Sequence, residues 1–297
     1  MTTPPAADRP HTHSRRTLLA ATAATALVGL PSAASAATTA PRPGPPYTVS
    51  SLRSTRPFYI AHRGGGRNWP AMTAYAYSQA VRVPGIKALE VSVCISDDGV
   101  LVCNHDATTT AATGVPYRII SETWATLSTL MVLPHYTIDR RQPARPFTRF
   151  EDVLERYLDD YVLFVEPKVQ SALEPLMRRL ARAGQPERVV WKQTVNSKRF
   201  VDAKRHGFTT WGYVLPEKAH VGENLKRYAA SPHVDMLGAW DARSDAFMTD
   251  VARAAKANGK QTIAWEISTV EERRRVLDLG CVGLMTSNVV DVVNAPL

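Results

Sequence analysis

The chain predicts an α/β fold, a closed (β/α)8 TIM barrel with an insertion after its second strand. Three observations carry that reading. Eight short β-branched or aromatic runs alternate with helical patterns, the signature of a parallel sheet covered by helices. About 240 residues follow an N-terminal targeting segment, the usual size of such a barrel. No G-x-G-x-x-G follows the first run, which counts against the alternative, an open doubly wound sheet of the dinucleotide-binding kind.

In chain order, residues 1–36 come first: a basic stretch containing Arg15-Arg16, an apolar run from Leu18 to Leu30, and a small-residue end, Ala34-Ser35-Ala36. This reads as a signal peptide. The paired arginines suggest the twin-arginine route, with ordinary secretion the alternative. The apolar run is shorter than the roughly 20 residues a membrane-crossing helix needs, so the expectation is a secreted protein with no transmembrane anchor. His11 and His13 belong to this segment and are not read as a metal site. Residues 37–57, with Pro41, Pro43, Pro45 and Pro46, read as an extended linker, and residues 58–297 as the barrel.

The eight strand runs are FYIAH at 58–62, KALEVSV at 87–93, YVLFVE at 161–166, RVVWKQ at 188–193, FTTWGYVL at 208–215, VDMLGAW at 234–240, QTIAWEI at 261–267 and VGLMTS at 282–287. Helices are expected near 72–83, 149–160, 172–183, 197–206, 223–230, 244–258 and 270–279. Three of them open on S/T-x-x-E, namely Thr148 with Glu151, Ser171 with Glu174 and Thr269 with Glu272, a pattern in which hydroxyl and carboxylate satisfy each other's orphan backbone donors. The alternation breaks once, over 94–147, and a long excursion in a barrel usually overlies the active-site face.

Strand ends carry the chemistry. His62-Arg63 closes the first strand, Glu90 lies on the second with Ser92 on the same face, and Glu166-Pro167-Lys168 closes the third. Charged groups facing into a barrel are costly unless paired or metal-bound. The carboxylates with adjacent cations therefore read either as a hard-cation site beside an anion site or as a structural ion-pair cluster. The net charge is +9; cleavage after residue 36 would remove Arg9, Arg15, Arg16 and Asp8 and leave +7. That balance suits an anionic substrate. With no RNP-type aromatic motif and no helix rich in Lys and Arg, nucleic acid is not an expected partner. The absence of G-x-S-x-G argues against an α/β-hydrolase esterase.

The motifs AHRGG at 61–65, PAMT at 70–73, ALEVSV at 88–93, SDDGV at 96–100, NHD at 104–106, PFTRFEDVLERY at 146–157 and FVEPK at 164–168, with Trp265 in the seventh strand, together resemble the glycerophosphodiester phosphodiesterase family. That family writes H-R-G, P-E-N-T, E-x-D, T-x-D-G, H-D and E-x-K in this order. The resemblance implies a TIM barrel that hydrolyses glycerophosphodiesters, or related small phosphodiesters, to glycerol 3-phosphate and an alcohol. It assigns His62 and His105 to general acid–base catalysis, Arg63 and Lys168 to the phosphate, Trp265 to the glycerol pocket, and Glu90 and Glu166 to a divalent metal, Mg²⁺ or Ca²⁺. The chain departs from the pattern at four positions: Ser92 replaces the metal-binding Asp, Ala71 and Met72 replace Glu and Asn, and Ser287 follows Thr286 where the family has Thr-Asp. A weaker metal site, a site rebuilt with another carboxylate such as Asp106 or Asp241, and a catalytically silent binding barrel all fit these losses.

There are three cysteines. A two-residue turn at Asp98-Gly99 would set Cys94 opposite Cys103, within disulfide reach, and leave Cys281 free. Three reduced cysteines are the alternative.

Overall fold

The computed structural model describes residues 46–241 and 243–296. The expected signal peptide lies outside them. Among the described residues eleven strands form in order: β1 Phe58–Ala61, β2 Ile86–Ile95, β3 Leu101–Cys103, β4 Met131–Val132, β5 Arg145–Pro146, β6 Val162–Pro167, β7 Val189–Thr194, β8 Thr209–Val214, β9 Met236–Trp240, β10 Gln261–Ile267 and β11 Gly283–Thr286. Eight of them, β1, β2 and β6 to β11, pair in parallel with their sequence neighbours, and β1 also pairs with β11, closing the barrel. These eight are the runs expected from the sequence.

The helices are α1 Val49–Ser54, α2 Ala74–Ala80, α3 Thr110–Thr113, α4 Trp124–Leu127, α5 Phe150–Tyr157, α6 Leu173–Ala183, α7 Phe200–Arg205, α8 Glu223–Ala230, α9 Asp245–Ala257, α10 Val270–Asp278 and α11 Val289–Asn294. Of the three expected capping boxes only Thr269 with Glu272 forms. The Thr148 hydroxyl accepts instead from the Ala74 N–H at 3.0 Å, and Glu151 pairs with Arg179. Ser171 lies in a 3₁₀ turn ahead of α6 while Glu174 pairs with Arg199. In both places a partner from another element outcompetes the local one.

Strand alternation sorts the core into two shells. Leu89, Val91 and Val93 of β2 pack outward with the helices, whereas Phe58, Ile60, Ala88, Val162, Phe164, Val190, Trp211, Met236, Ile263 and Met285 fill the barrel. Room for the large Trp211 indole comes from Gly238 on the neighbouring strand β9, where a Cβ would fall 2.5 Å from the ring. Residues 49–54, read as part of an extended linker, are the helix α1. Thr48 and Ser51 cap it reciprocally, and Val49 and Leu52 join the apolar barrel interior. An open barrel base leaves apolar side chains facing water, and α1 covers them.

The insertion runs from the β2–β3 hairpin to the start of α5 and has a small core of its own around Cys94, Val102, Ile119, Leu127, Val132 and Phe147. Its hairpin corrects the disulfide expectation. Ser96 N–H donates to Val100 O, so the turn holds three residues and ends on Gly99 at φ +80°, a left-handed position suited to glycine in such loops. The extra residue slips the register: Cys94 faces Val102, and Cys103 faces Val93. A one-residue slip turns a side chain to the other sheet face, and Cys94 and Cys103 accordingly pack in different clusters. Cys94, Cys103 and Cys281 are free and buried.

Candidate active site

Along the inner face of five strands, apolar residues at the N-terminal end give way to polar or aromatic ones at the C-terminal end: Ala88 to Glu90 and Ser92 on β2, Phe164 to Glu166 on β6, Val190 to Lys192 on β7, Trp211 to Tyr213 on β8, Ile263 to Trp265 on β10. These ends meet at one mouth, in a cavity of about 340 Å³ walled chiefly by His62, Arg63, His105, Lys168, Trp240 and Trp265. All of the residues expected at the site except Glu90 line this cavity, and Glu90 lies directly beneath it.

The Glu90 carboxylate is fully buried. One oxygen accepts the backbone N–H of Arg63 at 2.9 Å, which Arg63 presents by adopting φ +52°, a conformation unfavourable for a non-glycine residue. The other accepts Lys192 Nζ at 2.7 Å and Ser92 Oγ at 3.1 Å. Glu166 is engaged in the same way: Oε2 lies 2.8 Å from Lys192 Nζ, and Oε1 accepts Tyr213 OH at 2.8 Å and Lys168 Nζ at 3.2 Å. Burial pushes both carboxyls up, but the Lys192 ammonium, joined by His62 at Glu90 and by Lys168 at Glu166, holds each below its ordinary value. Lys192, itself buried, is held protonated against desolvation by Glu166 and Glu90. The Trp211 ring, 5.6 Å away, supports the ammonium.

This arrangement does not fit a divalent metal. Mg²⁺ or Ca²⁺ needs oxygen ligands at about 2.0–2.6 Å, but every oxygen of Glu90 and Glu166 accepts a protein donor, and an ammonium bridges the two. The third expected carboxylate is Ser92. The alternatives do not replace it: Asp106 is bound to His105, and among the described residues no group of three or more His, Cys, Asp or Glu side chains is placed to hold a metal.

Sequence reasoning missed Lys192, although alternation from Val190 puts it on the inner face. It also missed Glu266. His62 Nδ1 lies 2.8 Å from Ser287 Oγ, and the Ser287 hydroxyl donates to Glu266. The single hydroxyl hydrogen is thereby committed to a carboxylate that only accepts, so Ser287 must accept from His62 Nδ1–H. Nε2, 4.0 Å from Glu90, is then the ring nitrogen not engaged by Ser287. The carboxylate missing at position 287 is thus recovered from Glu266 on the neighbouring strand. Although burial pushes the Glu266 carboxyl up, its contacts with His62 and Ser287 hold it well below the usual range.

His105 stands at the rim, its Nδ1 2.8 Å from Asp106. Desolvation, then Arg63 and Lys168, lower it from 6.5 to about 4 against the opposing pull of Asp106, so it is neutral at pH 7. Its loop is held by Asn104, which donates to the Asp106 and Thr108 carbonyls, and by the Cys94 thiol, 3.3 Å from the Asp106 carbonyl. Burial raises that thiol to about 12, keeping it a donor. Arg63 Nε is buried with no hydrogen-bond partner, an unmet donor beside the cavity. Trp265 packs edge-on to Trp211 and Tyr213 and still lines the cavity.

A closed parallel barrel with two imidazoles and several cations at its C-terminal mouth defines a class, enzymes performing acid–base chemistry on an anion. Residues 62–291 match the model of the glycerophosphoryl diester phosphodiesterase family, and the chain belongs to that family. Over 59 residues, 20% of this chain and 16% of the relative, it is 41% identical to glycerophosphodiester phosphodiesterase GDPD6 of Arabidopsis thaliana, a match that spans only a small part of that protein. Two solved structures share the fold. One is a putative glycerophosphoryl diester phosphodiesterase of Agrobacterium tumefaciens, with a TM-score of 0.65 and 18% identity over 78% of this chain and 94% of that one. The other is an Oleispira antarctica phosphodiesterase in complex with its product sn-glycerol-3-phosphate, with a TM-score of 0.63 and 18% identity over 82% and 97%.

Proposed function

We propose that this chain hydrolyses glycerophosphodiesters, or closely related phosphodiesters, to glycerol 3-phosphate and an alcohol, and that it acts outside the cytoplasm after export directed by residues 1–36. The observation that carries the catalytic reading is the single cavity onto which His62, His105, Arg63 and Lys168 all open. Family membership supports it, as does the product named for the Oleispira antarctica relative.

The phosphate sits against the unmet Arg63 Nε and Lys168, which stabilise charge as it builds on the phosphoryl oxygens. His105, neutral at pH 7, takes the proton of the glycerol hydroxyl next to the ester as that oxygen attacks phosphorus. His62 protonates the departing alcohol oxygen through Nε2, its Nδ1–H remaining on Ser287. The roles then reverse: His62 takes a proton from water, the hydroxide opens the cyclic phosphate, and His105 returns a proton to the ring oxygen. The net reaction is diester plus water giving monoester plus alcohol.

Release of glycerol 3-phosphate from glycerophosphodiesters tests the reading. His62→Ala and His105→Ala should each lower kcat by about 10²–10⁴-fold, the usual contribution of a positioned acid or base. The departure at Ser92 favours a second reading, a silent phosphodiester-binding barrel; retained ligand binding with no release under any condition would establish it.

A further inference from the structure

We infer that Lys192 is the resident cation of this site, standing where the family resemblance expects a divalent metal, and that this chain works on its phosphodiester without one. The inference rests on the proposed function for its catalytic half, while its structural half stands alone.

Two independent observations carry it. The sequence loses the acidic ligand at Ser92, removing one negative charge from the expected ligand set. Separately, β7 delivers an ammonium whose Nζ lies 2.7 Å from Glu90 and 2.8 Å from Glu166. With Lys168 also on Glu166, two carboxylates are balanced by two ammonium groups, and nothing remains to attract a dication. Entry of a metal would require moving a buried, charge-paired Lys192 away from both partners, leaving its charge uncompensated, which is severely costly. Serine at position 92 fits the same design: its hydroxyl donates to Glu90 at 3.1 Å, whereas an aspartate there would add a repelling charge 2 residues from Glu90.

An ammonium supplies what the metal would supply electrostatically, a fixed positive charge at the floor of the cavity. Lys192 lines that cavity, and two of its three N–H donors serve the carboxylates. The third is left to donate to a non-bridging phosphoryl oxygen, so that Lys192 acts with Arg63 and Lys168 in a three-cation phosphate site. The role is electrostatic and requires no bond to be made or broken at Nζ.

The test pairs hydrolysis with metal binding. In the wild-type protein, glycerol 3-phosphate release in excess EDTA should stay within about twofold of that in Mg²⁺ or Ca²⁺, since the cation is part of the chain. Calorimetric titration with Ca²⁺ and Mg²⁺ should show no saturable site, and the double variant Ser92→Asp with Lys192→Ala should gain one. Lys192→Met should lower kcat by about 100-fold or more, as for loss of a preorganised transition-state partner, with no rescue by metal. Loss of activity in EDTA that Mg²⁺ or Ca²⁺ restores would overturn the inference. So would one saturable metal site in the wild type that Glu90→Gln abolishes. If no phosphodiester is hydrolysed under any condition, the proposed function fails, and the titrations alone still decide between Lys192 and a metal.

Discussion

His105 shows how closely single residues at this mouth are tuned. Burial first, then the Arg63 and Lys168 charges, hold it near 4 instead of 6.5. The folded value lies below the unfolded one, so the unfolded chain binds the proton first. His105 therefore subtracts stability progressively as pH falls from about 6.5 towards 4. An NMR titration of the His105 ring should show a midpoint near 4, and Lys168→Gln should move it up towards 6.5 by removing one of the opposing charges. An unchanged midpoint in that variant would mean that desolvation and Arg63 set it without Lys168. At the same scale, two of the three acidic positions lost from the family pattern are answered by residues on other strands: position 92 by Lys192, and position 287 by Glu266 acting through Ser287.

Among the elements, the β2–β3 hairpin places His105 opposite the strand that carries Glu90. Its geometry is set by a three-residue turn ending on Gly99, and this separates Cys94 from Cys103 onto opposite faces. The Cys94 thiol instead holds the His105 loop by a hydrogen bond to the Asp106 carbonyl. Unfolded, unreduced protein should accordingly titrate with three free thiols; a single thiol would restore the bridge. The hairpin itself was legible from Asp98-Gly99, but its register was not, because two- and three-residue turns share this dipeptide and differ by one position. Capping boxes were legible in the same limited way. Thr269 with Glu272 forms, while Glu151 turns to Arg179 of α6 and Glu174 to Arg199 at the start of α7.

At the scale of the whole molecule, the barrel is closed by β1 pairing with both β2 and β11 and is covered at its base by α1. Leu52 is fully buried there. Leu52→Ala should cost about 2–5 kcal/mol, the range for a large-to-small change in a core, and thermal or denaturant unfolding would measure it. A cost below 1 kcal/mol would show that α1 rests loosely on the barrel. The signal for α1 was present as Val49 and Leu52 spaced three apart, but the preceding prolines outweighed it. Among the described residues no helix is long and apolar enough to cross a membrane.

By itself the sequence determined the barrel, its eight strands and the residues His62, Arg63, Glu90, His105, Glu166 and Lys168, because period-two alternation, strand-end motifs and their order are properties of short stretches. Only the tertiary structure decided what stands between Glu90 and Glu166. Lys192 lies 102 residues from Glu90 along the chain, and no local pattern relates the two. Parallel pairing of β2 with β6 and of β6 with β7 sets the three side by side, and in that buried mouth an ammonium 2.7 and 2.8 Å from two carboxylates satisfies both.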